Sequence, residues 1–518
     1  MIHKIFQLIN TFTKLFFLSK ADKRFIRFSN NQFPPHASND NCEGVVLFDQ
    51  MYMDGYIFGR SYVTNFFKQK FNYQIAHYHF IHRERKILRW SYFFLRNFSR
   101  IEKLYSSFGS SFALGQTYFK KSELIANNLK FHSKRELLEY KYEGILIGDL
   151  VYDTYLRSYS EPTVDLDDHR LKLVLINALD IYFSINDYYD NHNVKKVILS
   201  HSVYIQYGLV ARVALSKNID VYNFPWESIV HKLTLDHPTP HVNHLMHRRH
   251  FAKKDNQSDL LQRAKDVLEK RLSGSIDPGI AYMKKSAYEQ SNDYKKVFLH
   301  DGRPKVVLML HCFYDAPHIF KTKVFEDFYE WVTFIFDLVP DMNIDFVVKP
   351  HPNAKPLNER ILKDIQLIYP KVRFLDDSIS SIDIIKDGAE FMLTVYGTAV
   401  HEFAYQDITV LTAGDHPAAA YSFSVNSISK EEFKENLLNI RDINLQIDKN
   451  EILEFFYMQY LNSQFGRVEG NNDLFLMRKR DYENDKNIFF DMVADAENGM
   501  FDNVYNVIEK ALIEVDLT

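Results

Sequence analysis

The chain contains 518 residues, of which 46% are hydrophobic and 25% are charged, and its formal net charge at pH 7 is −4. Such a length supports two or three domains with substantial hydrophobic cores. The slightly negative charge argues against nucleic acid as the main partner, because binding to a phosphate backbone requires a basic surface. The two cysteines, Cys42 and Cys312, predict neither a disulfide framework nor a cysteine-based zinc site, which fits the cytoplasm.

Residues 1–28 form the first predicted element, a basic amphipathic helix. Apolar side chains recur at helical spacing, and Asp22 alone opposes six basic side chains: Lys4, Lys14, Lys20, Lys23, Arg24 and Arg27. Such a helix suits two roles equally, peripheral attachment to the inner face of the cytoplasmic membrane or docking on the body of the protein. The chain has no run of about 18 apolar residues, so the sequence predicts no membrane-spanning segment.

Strands and helices then alternate through residues 40–230, which we assign to an N-terminal Rossmann-like domain. Its predicted strands are 44–49, 73–80, 145–150, 196–199 and 220–223, and its predicted helices are 58–71, 84–107, 121–140, 167–191 and 203–216. Alternation of this kind indicates a parallel sheet with right-handed crossovers and helices on its faces. The polar residues 231–300 are predicted to form a helical linker.

The same alternation returns in residues 301–430, the second predicted Rossmann-like domain. Its strands are predicted at 305–310, 344–349, 372–375, 391–395 and 408–411, and its helices at 325–338, 358–368, 380–387 and from Thr398 onward. Residues 431–518 are predicted to form a helical tail. The expected fold is therefore α/β, with two Rossmann-like doubly wound domains, a helical linker and a helical C-terminal tail.

Polar residues follow three predicted strands of the second domain, at the sheet edge where doubly wound folds bind their ligands. They are His311, Asp315 and His318 after the first strand, Lys349 and His351 after the second, and Gly397, Thr398, His401 and Glu402 after the fourth. A lysine, imidazoles and the N–H groups at a helix start suit a phosphate, and a carboxylate suits ribose hydroxyl groups. This edge is predicted to bind a phosphorylated ligand.

The candidate catalytic residues lie in the first domain. Asp149 and Asp153 close its third predicted strand, and His201 follows its fourth. Transfer of a group to a hydroxyl requires a general base or a carboxylate nucleophile, and each of these side chains suits one of those roles. Asp49 and Asp54, after the first strand, are the reserve candidates.

The 21 histidines raise the question of a metal site. Five of them crowd the linker between residues 237 and 250, but none forms the H-E-x-x-H pattern of a zinc enzyme. Positive side chains and helix dipoles can stabilise a departing phosphate without a metal. The sequence therefore predicts neither a metal nor a cofactor.

Two segments carry a resemblance to a known family: Lys-Pro-His-Pro at 349–352 and YGTAVHEFAYQDITVLTAGDHP at 396–417. Together they resemble the donor domain of bacterial capsule and surface-polysaccharide glycosyltransferases of the GT-B type, including the Kdo-transferase-like capsule synthesis proteins. The resemblance covers residues 300–425 well and 44–225 more loosely. It departs from the family pattern at Asp407-Ile408-Thr409, where a Gly-x-Pro turn is usual.

The resemblance implies a function and roles for several residues. In such enzymes the positions matching Gly397, Thr398 and Glu402 hold the nucleotide and phosphate of the donor, with Lys349 and His351 close by. The implied donor is a nucleotide sugar, with CMP-Kdo or a related acidic sugar ahead of UDP-sugars. The implied acceptor is a growing glycan or glycolipid.

Three alternatives stay open at this point. A nucleotide-sugar 2-epimerase and a teichoic-acid-type polyol-phosphate transferase have related two-domain folds. A non-catalytic assembly scaffold on the membrane, with residues 1–28 as its functional part, belongs to another class. Hydrolysis or epimerisation of the donor without an acceptor would identify the epimerase, and a preference for CDP-glycerol would identify the polyol-phosphate transferase. Loss of function on deletion of residues 1–28, with function retained after substitution of Asp153, His201 and Glu402, would identify the scaffold.

Overall fold

The computed structural model describes residues 17–33, 42–80, 99–114, 117–224, 230–239, 244–275, 286–288, 295–319, 323–351, 355–376, 378–397, 399–462 and 488–516. Its strands are β1 Gly44–Asp49, β2 Tyr73–Tyr78, β3 Ser110–Phe112, β4 Lys141–Tyr142, β5 Ile145–Leu146, β6 Val194–Leu199, β7 Asp220–Asn223, β8 His231–Leu233, β9 Lys305–Met309, β10 Asp345–Lys349, β11 Arg373–Phe374, β12 Phe391–Leu393, β13 Thr409–Ala413 and β14 Val425–Ser427.

The helices of the first domain and the linker are α1 Lys20–Gln32, α2 Asp54–Phe71, α3 Arg100–Ser106, α4 Phe119–Asn128, α5 Lys134–Leu138, α6 Gly148–Tyr159, α7 His169–Asn191, α8 Leu209–Ser216, α9 His244–Phe251 and α10 Gln257–Leu272. Those of the second domain and the tail are α11 Phe328–Leu338, α12 Lys355–Ile368, α13 Ser381–Lys386, α14 Ala399–Ala404, α15 Lys430–Leu438, α16 Lys449–Phe456, α17 Ile488–Glu497 and α18 Val504–Asp516.

Two six-stranded sheets organise the molecule, and both have the same strand order. The first runs β3-β2-β1-β6-β7-β8 and the second β11-β10-β9-β12-β13-β14. All neighbouring strands are parallel except β8, which runs antiparallel to β7. Each sheet therefore reverses its order beside its first strand, and ligands of doubly wound folds bind at this reversal, outside the carboxyl ends of the strands. The predicted fold class is confirmed.

One predicted strand is wrong, and the error moves two candidate catalytic residues. Only Ile145–Leu146 is extended, paired antiparallel with β4, and helix α6 begins at Gly148. Asp149 lies in the first turn of α6 and Asp153 one turn later, so neither follows a strand of the large sheet. Helix α6 is buried on nearly all sides, and a short apolar run does not distinguish such a helix from a buried strand.

Three strands at or near the sheet edges were not predicted. β3 and β14 contain three residues each, and β8 lies in the segment assigned to the linker. Strands this short carry little periodicity, and their pairing depends on residues far away in the chain. They extend both sheets without changing the strand ends that border the reversal points.

The basic N-terminal helix is docked on the protein along its described part. Phe25 of α1 is fully buried and stacks on Phe489 of α17, with ring centroids 4.4 Å apart. Arg100 donates to both carboxylate oxygens of the buried Asp22. Residues 1–16 lie outside the described residues. None of the helices in the described ranges combines the length and apolar character needed to cross a membrane.

The first and the last two described helices pack together on the first domain. Helix α17 packs against α1 and α2, and α18 also packs against α2. Helices α15 and α16, by contrast, lie against the second domain. The helical tail therefore covers parts of both domains.

Candidate functional site

Three imidazoles lie near one another at the carboxyl ends of the second sheet. His311 follows β9, His351 follows β10 and His416 follows β13. The Tyr396 N–H donates to Nε2 of His311 at 3.3 Å, and the His311 ring stacks on Phe328 with centroids 4.7 Å apart. Burial lowers the pKa of His311 to about 3, and the two neighbouring imidazoles contribute to the shift. His311 is therefore neutral at pH 7.

His416 connects two strand-end loops through both ring nitrogens. Its Nδ1 accepts from the Ala418 N–H at 2.9 Å, and its Nε2–H donates to the carbonyl of Gly397 at 3.3 Å. Burial lowers the pKa of His416 to about 4, and the bond to Gly397 opposes this shift. These bonds require the neutral ring with its proton on Nε2. His416 was not among the predicted site residues, although it lies in the loop after the predicted strand 408–411, three residues beyond the observed end of β13.

The turn at Gly397 approaches the histidine loop closely. A Cβ at this position would lie 2.6 Å from Thr394 Oγ1 and 3.6 Å from His311 Nε2, so a side chain here would collide with Thr394. Lys349, at the end of β10, is 8% exposed, and its Nζ donates to the carbonyl of Asp376 at 3.4 Å. The structure thus brings Lys349, His311, His351 and Gly397 to one edge, as predicted from the strand ends. Thr398 lies outside the described residues.

The carboxylate of Glu402 has partners within the protein. Tyr288 donates to its Oε2 at 2.8 Å, and the fully buried Arg271 approaches its Oε1 at 3.4 Å. The neighbouring His401 is surrounded by aromatic rings, including Phe455 at a centroid distance of 5.5 Å. Burial lowers the pKa of His401 well below its usual value. A contact from Glu402 to a ribose stays a prediction.

A polar chain joins the ends of β1 and β6 in the first sheet. Asp49 is 1% exposed, pairs with Arg60 at 3.0 Å, and accepts from the Ser200 N–H at 2.9 Å and from the Ser200 hydroxyl. Nδ1 of His201 lies 2.9 Å from Ser200 Oγ. Because the Ser200 proton is directed to Asp49, the serine oxygen accepts from Nδ1–H of His201. This tautomer has its lone pair on Nε2.

The strand-end loops of the two sheets face each other. Tyr204, three residues after His201, donates to Asp315 Oδ1 at 3.1 Å, and Asp315 lies four residues after His311. Tyr204 has a positive φ of 61°, which is strained for a bulky residue. Such strain persists only where surrounding contacts hold it, and it is concentrated at functional sites. Nearby, the Arg157 guanidinium lies 5.7 Å from the centre of the Tyr314 ring.

Asp149 and Asp153 both form buried pairs. Asp149 receives two bonds from Arg212, at 2.6 and 2.7 Å, and this pairing holds its pKa below the usual value despite burial. Asp153 Oδ1 lies 2.5 Å from Nδ1 of His318, whose Nε2–H donates to the carbonyl of Glu326 at 2.8 Å. Burial raises the pKa of Asp153 although His318 opposes the shift. Asp153 of the first domain and His318 of the second domain, both predicted site residues, are therefore in contact with each other.

Within the described residues, no group of three or more His, Cys, Asp or Glu side chains is placed to hold a metal ion. The chemistry available at the strand ends is instead a buried lysine, imidazoles on the second domain, and the Asp49-Ser200-His201 chain on the first. Asp49 was a reserve candidate, and Ser200 could have been found from its position immediately after β6.

No protein-family model matches the chain, and no curated protein sequence matches it. Solved structures with a similar fold include Thermosulfurimonas dismutans KpsC, a beta Kdo 2,7 transferase, at 16% identity, covering 51% of this chain and 77% of that one, with a TM-score of 0.30. The Methanocaldococcus jannaschii UDP-GlcNAc 2-epimerase is 10% identical over 81% of this chain and 99% of its own, with a TM-score of 0.24.

Acinetobacter baumannii MurG is 9% identical, covering 81% of this chain and 95% of its own, with a TM-score of 0.24. At these identities and TM-scores the likenesses concern the fold, and the activities of these proteins are not carried over to this chain. A beta Kdo transferase and a UDP-GlcNAc 2-epimerase are thus both among the proteins that this chain is similar to.

Proposed function

We propose that this protein is a glycosyltransferase that moves a sugar from a nucleotide-sugar donor to a growing capsular or surface glycan. The observation that carries the proposal is the Tyr204–Asp315 hydrogen bond, which joins the loop after β6 to the loop after β9. It places the His201 loop of one sheet opposite the His311 loop of the other. Two strand-end edges that face each other suit a reaction between two substrates, each held by one domain.

The donor phosphate binds the second domain in this proposal. Lys349 supplies a positive charge, and His311 and His351 supply imidazoles at adjacent strand ends. An anion beside a neutral imidazole raises its pKa, so bound phosphate favours proton uptake by these rings. The positive charge that protonation adds to these rings stabilises the leaving phosphate as it departs. The roles of Thr398, His401 and Glu402 at the nucleotide rest on the resemblance, which also favours a CMP-linked acidic sugar ahead of UDP-sugars.

We assign the general base to His201. Nε2 takes the proton of the acceptor hydroxyl, the hydroxyl oxygen bonds to the anomeric carbon, and the bond from that carbon to the phosphate oxygen breaks. The phosphate leaves with the electron pair. Ser200 and Asp49 orient the imidazole and stabilise its charged form, as a hydroxyl and a carboxylate can do for a histidine base. Asp149 and Asp153 have buried partners, and we assign them to structure.

The proposed place of action is the inner face of the cytoplasmic membrane, with the protein attached peripherally. The basic character of residues 1–28 supports this position, and the acceptor glycolipid would be presented there. The acceptor binds the first domain, near the ends of β1 and β6.

Donor binding tests the proposal directly. In a thermal-shift screen of CMP-, UDP-, GDP- and CDP-linked sugars, we expect one nucleotide class to stabilise the wild type, by about 2.7 kcal/mol at a ligand concentration of about 100 times Kd. Lys349→Ala and His351→Gln should lose most of this shift. Lys363→Ala, which removes an exposed lysine on α12, is the matched control and should keep it. An unshifted wild type, or a Lys349→Ala variant that shifts as the wild type does, contradicts the proposal.

Product analysis separates the alternatives. Transfer of sugar to an acceptor glycan supports the glycosyltransferase, whereas epimerised donor without acceptor indicates a 2-epimerase. A preference for CDP-glycerol indicates a polyol-phosphate transferase. Glycan assembly that survives Lys349→Ala and His201→Gln, but not deletion of residues 1–28, indicates a scaffold.

A further inference from the structure

An open cleft lies between helices α1 and α17, far in sequence from the strand-end site. Its volume is about 800 Å³. One wall carries the basic face of α1, and the other carries residues of α17. Its lining includes Lys20, Lys23, Arg24, Arg27, Phe490 and Glu497.

The cationic side chains share one face of α1 because they recur three, four and seven positions apart. The opposite face, with Ala21 and Phe25, is buried in the apolar cluster under α17. Docking of α1 therefore uses its apolar face and leaves the basic face along the cleft. This arrangement concentrates positive charge on a chain whose net charge is −4.

The walls also give the cleft some rigidity. Arg24 pairs with Glu497 at 2.9 Å, and its guanidinium lies 5.4 Å from the centre of the Phe490 ring. Lys20, Lys23 and Arg27 are exposed. Four cations thus face one carboxylate, so the cleft keeps an excess of positive charge after its internal ion pair is formed.

We propose that this cleft binds the phosphate headgroups of an anionic lipid bilayer. Two observations favour a bilayer over a soluble phosphate. Phe17, three residues before α1, is 64% exposed, and residues 5–16 continue with apolar side chains in the sequence. A bilayer offers headgroup phosphate and hydrocarbon together, whereas a soluble phosphate offers only the first. The inference deepens the proposed place at the membrane, and its test does not depend on glycosyl transfer.

The test measures binding of the full-length protein to phosphatidylcholine vesicles with and without phosphatidylglycerol. Each basic side chain near an anionic surface contributes about fivefold in affinity. The triple variant Lys20→Gln, Lys23→Gln, Arg27→Gln should therefore bind anionic vesicles on the order of a hundredfold more weakly. Its matched control, Lys120→Gln, Lys130→Gln, Lys363→Gln, removes the same charge from exposed lysines elsewhere and should bind like the wild type.

A second variant is expected to have the opposite effect on vesicle binding. Glu497→Gln removes the carboxylate of the cleft and releases Arg24 from its ion pair, so binding to anionic vesicles should strengthen by about fivefold. Binding should weaken as salt rises, because the contact is electrostatic. Unchanged melting temperatures of all variants exclude misfolding as the cause.

Several results would overturn the inference. Equal losses in the cleft variant and its control would show that overall charge, and not this cleft, determines vesicle binding. Full vesicle binding by the cleft variant would assign the contact to another part of the chain. Stabilisation of the wild type by inorganic pyrophosphate, lost in the cleft variant, together with no binding to anionic vesicles, would assign the cleft to a soluble anion.

Discussion

Nδ1 of His318 lies 2.5 Å from Oδ1 of Asp153, and this contact joins the two domains through side chains that are at most 3% exposed. Beside it, Tyr152 donates to Asp327 Oδ2 at 2.5 Å, also across the domains. Consecutive residues of α6 thus hold the second domain through buried polar contacts. A buried polar pair fixes orientation because a displaced partner would lose its hydrogen bond without gaining water.

We predict that Asp153 contributes to stability more than to chemistry. Asp153→Ala should lower the free energy of unfolding by roughly 3 kcal/mol, because it leaves Nδ1 of the buried His318 without its carboxylate partner. His318→Ala should act similarly, and the double variant should lose less than the sum of the two. Urea unfolding measures all three, with the exposed Asp364→Ala as control. A stable Asp153→Ala variant without transferase activity would instead make Asp153 catalytic.

His201 should control the rate of transfer. We expect His201→Gln to lower kcat by roughly 10²–10⁴-fold with little change in KM for the donor, because it removes the general base. Ser200→Ala should have a smaller effect in the same direction, since it removes the group that orients the imidazole. His132→Gln, at an exposed position, is the control, and an equal fall in kcat there would refute the assignment.

Gly397 is expected to tolerate no side chain while Thr394 is present. Gly397→Ala should cost about 1–3 kcal/mol of stability or donor binding, because its Cβ would lie 2.6 Å from Thr394 Oγ1. Adding Thr394→Ala removes that oxygen and should restore most of the loss. Unfolding and nucleotide titrations of both single variants and the double variant measure this rescue. A double variant as impaired as Gly397→Ala would show that the clash is not the cause.

His416 should make stability sensitive to mild acid. Burial lowers its pKa from 6.5 to about 4 in the folded protein, so below pH 6.5 the unfolded chain binds a proton that the folded chain does not. Stability from this group is therefore present above pH 6.5 and falls by about 1.4 kcal/mol per pH unit as the pH drops towards 4.

The measurement is the free energy of unfolding between pH 7 and pH 4. His416→Gln can still donate to the Gly397 carbonyl but does not titrate, so its pH dependence should be shallower than that of the wild type. The exposed His132→Gln should keep the wild-type slope. Equal slopes in all three proteins would contradict the prediction.

The strand ends were predictable where an apolar run stopped at a polar residue. Gly44–Asp49 and Asp345–Lys349 are such runs, and both occur as interior strands of their sheets, the first of them beside a sheet reversal. The segment 145–150 followed the same pattern, but only Ile145–Leu146 is a strand and the chain is helical from Gly148 onward. Short apolar runs do not reveal their period, so local sequence could not separate these cases.

Residue types and their order along the chain by themselves determined the α/β alternation, the two parallel sheets and the edge at which polar side chains gather. Those properties follow from local patterns of burial and from the shared direction of parallel strands. Only the tertiary structure decided which charged groups have protein partners. Asp149 meets Arg212 across 63 residues, and Asp153 meets His318 across 165. Such pairings depend on how distant segments pack, and that packing assigns two predicted catalytic acids to buried contacts.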